Sequence, residues 1–177
     1  MRLEDFDTGT TYNARVLSSQ RITPATSREE VREIVLEVER EHFDYRAGQS
    51  IGVIVSGDHP QGHKHHFRLY SVADTAPTAN GGKPHVTLCV KRCNYIDEYS
   101  GERYEGISSN YLCDRRPGDS ITINGPFGIP FEVPEDRNTD LLLIGMGTGI
   151  APFRALIKHI YQDVKDWQGR VRLFYGA

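Results

Sequence analysis

From residue 12 to about residue 133 the chain alternates short apolar runs with turn residues. Ile34-Val35-Leu36-Glu37-Val38, Val86-Thr87-Leu88-Cys89-Val90 and Ser120-Ile121-Thr122-Ile123 have the length and β-branched content of strands, and Gly57-Asp58, Asn80-Gly81-Gly82 and Pro117-Gly118-Asp119 punctuate them. This rhythm predicts an antiparallel β-barrel. Past Pro134-Glu135-Asp136-Arg137-Asn138 it gives way to a continuous run, Leu141-Leu142-Leu143-Ile144, of the kind a parallel sheet buries on both faces. A glycine turn follows, then a helix with Pro152 in its first turn and Phe153, Leu156, Ile157, Ile160, Tyr161 and Val164 at three- and four-residue spacing. Gly169 is expected to end that segment, and Val171-Arg172-Leu173-Phe174-Tyr175 predicts a second buried strand.

The implied fold class is a β barrel plus α/β. An antiparallel barrel is expected over residues 1–136, followed over 137–177 by the first part of a Rossmann-like parallel α/β domain. One strand, helix and strand leave apolar faces uncovered unless further strands follow, so the second domain is expected to be incomplete, with an exposed edge at 171–175.

At 177 residues the chain has room for one full domain and part of another, taking about 100–150 residues as a usual domain. A formal net charge of −3 gives no global attraction to nucleic acid or an acidic membrane surface. No apolar run approaches the roughly 20 residues of a membrane-spanning helix, and Met1-Arg2-Leu3-Glu4-Asp5-Phe6-Asp7 is acidic rather than signal-like. A soluble, cytoplasmic protein is expected. Cys89, Cys93 and Cys113 are odd in number and lack paired C-x-x-C spacing, so buried reduced thiols are expected rather than disulfides or an iron–sulfur site. His59, His63, His65 and His66 cluster in a loop, where solvated side chains are the default against a metal site.

The chemistry concentrates in a few blocks. In Arg68-Leu69-Tyr70-Ser71, strand alternation puts Arg68 and Tyr70 on one face, with Leu69 and Ser71 on the other. A guanidinium can fork onto phosphate oxygens and a phenol ring can lie on an isoalloxazine. An ordinary solvated strand would also show an Arg and a Tyr in alternation. Gly106-Ile107-Ser108-Ser109-Asn110 reads as a turn opening a short helix, with Ser109 or Asn110 capping N–H groups and amides facing an anion, or as a plain helix cap. Lys91 and Tyr95 sit four apart at a strand end, while Leu88 and Val90 point to the core and Cys89 away from it. Gly145-Met146-Gly147-Thr148-Gly149 joins a strand to a helix, the setting for backbone contact with a nucleotide, although Ile150 replaces the glycine that would complete G-x-G-x-x-G.

Taken together, and with Tyr45-Arg46-Ala47-Gly48-Gln49-Ser50-Ile51-Gly52-Val53 upstream, these blocks resemble the plant-type ferredoxin–NADP reductases over essentially the whole chain. The resemblance implies FAD and NADP(H) as cofactors. It gives Arg68 the flavin diphosphate, Tyr70 the isoalloxazine face, and Ser71 a place beside the flavin's reactive nitrogen. Tyr95 would stack on the adenine, Lys91 would reach toward the pyridine nucleotide, and Gly147 and Thr148 would lie in the nicotinamide-side loop. Leu69, Cys89, Val90, Gly106, Ile107, Ser108, Ser109 and Asn110 complete the implied cofactor-binding set. Ser71 and Ser108 are the implied catalytic residues, and Ser108 departs from the family's frequent cysteine, which puts transfer efficiency in question. Arg115 and Arg116 with Lys91 and Arg92 form a candidate basic rim for an acidic carrier.

The implied function is hydride transfer from NADPH to FAD and single-electron exchange with a ferredoxin- or flavodoxin-like carrier, and the same core also suits the reductase of an oxygenase system. The alternative is an FAD-binding module without NAD(P)H turnover of its own. It is favoured by the lack of any segment matching the family's 2′-phosphate-binding stretch, later Cys-Gly strand end or C-terminal aromatic. No metal is required by either.

Overall fold

The computed structural model describes residues 9–57, 65–75 and 82–176. Met1 to Asp7, His59, His63 and the turn residues Asp58, Asn80 and Gly81 lie outside the described residues. Six strands, β1 (Thr11–Arg21), β2 (Val31–Val38), β3 (Ser50–Ser56), β4 (His65–Ser71), β5 (His85–Lys91) and β8 (Ser120–Phe127), form one antiparallel sheet in the order β4-β3-β8-β1-β2-β5. The antiparallel part of the expectation holds, but in place of a closed barrel stands a six-stranded sheet whose two ends meet, among the described residues, at an isolated bridge from Val72, just past β4, to Leu88. Period-two burial explains the core. Ile34, Leu36 and Val38 from β2, Ile51 and Val53 from β3, Val86 and Leu88 from β5, and Ile121 and Ile123 from β8 all point inward at 0–1% exposure.

A small hairpin, β6 (Asn94–Ile96) with β7 (Arg103–Glu105), leads into the seven-residue helix α1 (Ile107–Cys113), which packs against β3, β4 and β5. Leu112 and Cys113 join the core from that helix. Of the three thiols, Cys113 is buried, Cys89 is intermediate and Cys93 is exposed, so burial holds for only part of the set. Burial pushes the Cys113 thiol up to about 11.

The second unit pairs β9 (Leu141–Met146) and β10 (Val171–Gly176) in parallel, with α2 (Ala151–Lys158) between them, as the change of rhythm predicts. Its core is Leu143, Ala155, Leu156, Ile160 and Trp167, joined by Ala47 from the first unit. Both strands read as buried types, yet the face away from α2 is uncovered, as expected of one strand, helix and strand without further strands. Leu142, Ile144, Met146 and Phe174 there are 59–77% exposed. The helical segment also differs from a single α-helix. It continues as a π-helical turn, His159–Val164, which takes Tyr161 out of the apolar face to 54% exposure.

Lys165, left-handed at φ 67°, ends the segment; Gly169 does not. Gly169 instead passes the 138–140 backbone so closely that an added Cβ would lie 1.9 Å from the Thr139 carbonyl oxygen. Gly169→Ala is therefore expected to force the backbone apart, destabilising the β9 and β10 unit by about 1–3 kcal/mol, with urea denaturation as the check. Unchanged stability would show that this approach is loose.

Candidate functional site

β4 and β5 end the sheet order, and just past β4 Val72 bridges Leu88 while the Ala73 N–H donates to the Thr87 carbonyl at 2.8 Å. Continued antiparallel register would set Ser71 against Cys89 and Tyr70 against Val90. Among the described residues the ladder stops at the bridge, leaving two strand edges to border an open seam. α1 contacts both edge strands and spans that seam from the core side. The residues of Arg68-Leu69-Tyr70-Ser71, of Cys89, Val90 and Lys91, and of Ile107, Ser108 and Ser109 are brought together there.

Arg68 and Tyr70 do share one face. Their register partners are Val53 and Ile51, so this is the core side of the sheet. Tyr70 is half-buried and packs on the core, whereas Arg68 is exposed and donates from Nη1 to the neighbouring Phe67 carbonyl at 2.8 Å. Among the described residues Arg68 makes no ion pair. Leu69 faces the other way at 45% exposure, and Ser71 Oγ lies 3.4 Å from Ser50 Oγ. Burial pushes the Tyr70 phenol up to about 12; the nearby Cys93 and Cys113 add to this, and Ser108 and Arg68 oppose it. Ser108 Oγ is itself buried without a hydrogen bond of ordinary geometry, although the phenol is near.

The other α1 residues do not cap the helix as expected. Gly106 is the N-cap with no side-chain cap bond. Ser109 Oγ instead accepts from the Cys93 N–H at 3.2 Å, and Asn110 Nδ2 donates to the Cys93 and Gly106 carbonyls at 2.9 and 2.8 Å. Both side chains therefore brace α1 to the end of β5. An added Cβ on Gly106 would lie 2.9 Å from Ser109 Oγ and 3.0 Å from the Cys93 carbonyl oxygen, which is why a glycine stands there.

Arg92, placed by its sequence neighbours on a basic rim, is bound internally. It donates to Glu30 Oε2, Asn110 Oδ1 and Asp114 Oδ1, each at 2.8 Å. Burial works against its charge, but the Asp114 and Glu30 hydrogen bonds outweigh this and raise its pKa. Arg115 lies over the Tyr111 ring at 4.4 Å, and Lys91 is paired with Glu29, whose hydrogen bond raises the lysine pKa. Glu30 and Asp114 lie far from Arg92 in sequence, so no local pattern announces this anchor.

Cys89 sits beside Arg154 and Glu33, next to the second unit, and burial raises its pKa. Val90 is core, at 1% exposure. Tyr95, 58% exposed, stacks on Tyr104 across the β6 and β7 hairpin at 5.3 Å and 18°. Tyr104 was missed as a candidate; two tyrosines flanking the Ser100-Gly101 turn at paired positions were the available signal. The glycine loop forms a 3-10 turn, Gly147–Ile150, in which Gly147 takes a positive φ of 51° and Thr148 is half-buried. No helix among the described residues is long and apolar enough to cross a membrane. His65 and His66, the described part of the histidine cluster, begin β4.

Residues 14–131 match the oxidoreductase FAD-binding domain family, and residues 143–177 match the oxidoreductase NAD-binding domain family. The chain is 41% identical over 169 residues to the chloroplastic leaf isozyme 1 of ferredoxin–NADP reductase from Arabidopsis thaliana, covering 94% of this chain and 46% of that protein. It is 38% identical over 175 residues to the chloroplastic ferredoxin–NADP reductase of Spinacia oleracea, covering 97% and 47%. The chain thus spans about half the length of the relatives it matches. Their chloroplastic labels lend nothing to the cytoplasmic expectation. The solved ferredoxin–NADP+ reductase of Plasmodium falciparum matches with a TM-score of 0.74 at 20% identity, covering 96% of this chain and 60% of that one, a likeness of fold.

The Tyr70 shift has a sign that can be measured. The fold favours the neutral phenol, so this contribution to stability is complete below the unfolded value of about 10 and is lost as pH rises through the folded value. Tyr45, raised by burial and then by the charge of Asp74, contributes to the same fall. Denaturant unfolding from pH 10 upward should show a shallower fall for Tyr70→Phe than for the unmodified chain; parallel curves would refute the placement of Tyr70.

Proposed function

Because the chain belongs to the oxidoreductase FAD-binding domain family and is a relative of the plant-type ferredoxin–NADP reductases, we propose that FAD is held along the seam between β4 and β5. The observation that carries this is the open seam itself. Two unpaired strand edges flank a half-buried tyrosine, an exposed arginine without an ion pair among the described residues, and a buried serine hydroxyl set against the tyrosine's phenol. An exposed guanidinium, an aromatic face and open backbone edges are the groups that a ring cofactor carrying a diphosphate needs. The residues present therefore fit the group.

In this reading the Arg68 guanidinium binds a diphosphate oxygen, the Tyr70 ring covers one face of the isoalloxazine, and the edge backbone of Cys89, Val90 and Lys91 bonds the ring's polar rim. Ser71 and Ser108 present hydroxyls to the reacting end, and Tyr95, braced by Tyr104, offers its ring to the adenine. Ser109 and Asn110 act through the position of α1. Bound FAD supplies the conversion between two-electron hydride and single electrons. The protein's part is orientation and exclusion of water. Residues 1–136 form the FAD-binding domain and 137–177 the nucleotide side, a division on either side of which the two family matches fall. Gly147 and Thr148 approach the nicotinamide of NADPH, and a ferredoxin- or flavodoxin-like carrier, or an oxygenase component, accepts the electrons.

A second reading is an FAD-binding module without nucleotide turnover. The exposed apolar face of β9 and β10 favours it, since Leu142, Ile144 and Phe174 lie uncovered beside the nucleotide-side loop. Anaerobic visible spectroscopy separates the two. A yellow protein bleached by NADPH in preference to NADH supports hydride transfer, one that stays oxidised supports the module, and a colourless protein that rejects added FAD refutes both. Arg68→Ala is expected to weaken FAD binding on the order of 10- to 100-fold, as for loss of a hydrogen bond to a charged group, measured by flavin fluorescence titration.

A further inference from the structure

Three residues beyond Ser71 the same stretch reaches Asp74, and here the first unit holds the second. The Asp74 carboxylate, 17% exposed, accepts from Lys158 Nζ at 2.6 Å and from Arg154 Nη2 at 3.3 Å. Arg154 Nη1 is bonded in turn to Glu33 of β2. Arg154 and Lys158 lie one turn apart on α2, where two cations alone would repel. The carboxylates reverse that sign, and both belong to the first unit. Asp74 follows β4, and Glu33 is the register partner of Cys89 in β5. On the opposite flank of the helix start, Phe153 stacks on Phe131 at 5.8 Å and 18°.

We infer that Asp74 is a positioning residue: with Glu33 it clamps Arg154 and Lys158, and so fixes α2 and the Gly147–Ile150 turn against the Tyr70 and Ser71 end of the seam. An isolated exposed ion pair is worth little, but Asp74 and Arg154 each serve two partners, so loss of either breaks most of the network. The consequence for catalysis rests on the proposed FAD and NADPH function, where a misplacement of about 1 Å can cost on the order of 100-fold in rate.

The test uses the FAD-supplemented chain and the variants Asp74→Asn, Arg154→Gln, Lys158→Gln and Arg154→Lys. Amide hydrogen exchange in α2 should quicken about fivefold in the first two, with core amides of β3 and β8 unchanged, and 0.5 M salt should do the same to the unmodified chain, on the order expected of a screened ion-pair network. Arg154→Lys should retain most of the protection. The limiting rate of flavin reduction by NADPH should fall about tenfold in Asp74→Asn while KM changes little, as for lost alignment. If Asp74→Asn fails to fold, Lys158→Gln carries the same comparison. Unchanged α2 exchange in the charge-neutralised variants overturns the clamp, as does a rate loss that only parallels loss of bound FAD. A salt-sensitive clamp in a chain that neither nucleotide bleaches would sustain the clamp and refute hydride transfer.

Discussion

A sheet that stops one bridge into closing is the constraint on which the rest depends. Full closure would satisfy every edge N–H and C=O and leave only side chains to form a site. Here β4 and β5 meet at Val72 and Leu88 and then run unpaired, so backbone donors and acceptors stand beside Tyr70 and Ser108. The seam stays defined because α1 packs across it, and α1 is held by side chains rather than by its own caps. Arg92 reaches Glu30, Asn110 and Asp114, which ties the end of β5, the start of β2, and the middle and C-terminal cap of the helix to one guanidinium. Arg suits this task because its planar fork gives fixed geometry at several acceptors at once.

Local periodicity made much of the architecture legible. The inward residues of β2, β5 and β8 alternate as a half-buried strand must, and the continuous run at 141–144 announces a parallel neighbour. What escaped is set by contacts distant in sequence. Gly169 carries the residue type of a helix stop, yet its smallness serves an approach to Thr139, while a left-handed Lys165 ends the segment. The π-helical turn has no pattern of its own, and Tyr161 within it stands exposed rather than on the face that three- and four-residue spacing assigns to it.

The same division holds within the site. That Arg68 and Tyr70 share a face follows from strand alternation, and the register with Val53 and Ile51 agrees. Ser109 and Asn110 look like cap residues because those types cap helices; they bond Cys93 because β5 ends beside α1, which no spacing reveals. Arg92 reads as part of a basic surface for an equally general reason, since most arginines are solvated. Its fixed place depends on two carboxylates and an amide supplied by other parts of the chain.

The chain from Arg68 to Asp74 joins these features mechanically. It contains the exposed guanidinium, the half-buried ring, the one bridge that pins the seam, and the carboxylate that grips α2. Between Tyr70 and Asp74 an extended backbone spans at most about 14 Å, and Val72 in the middle is tied to Leu88 in the core. Such a segment is too short and too well anchored to let one end shift while the other stays. Under the proposed clamp this short segment holds Asp74 at a near-fixed distance from Tyr70, so that any coupling between α2 and a ligand at Tyr70 would be reciprocal.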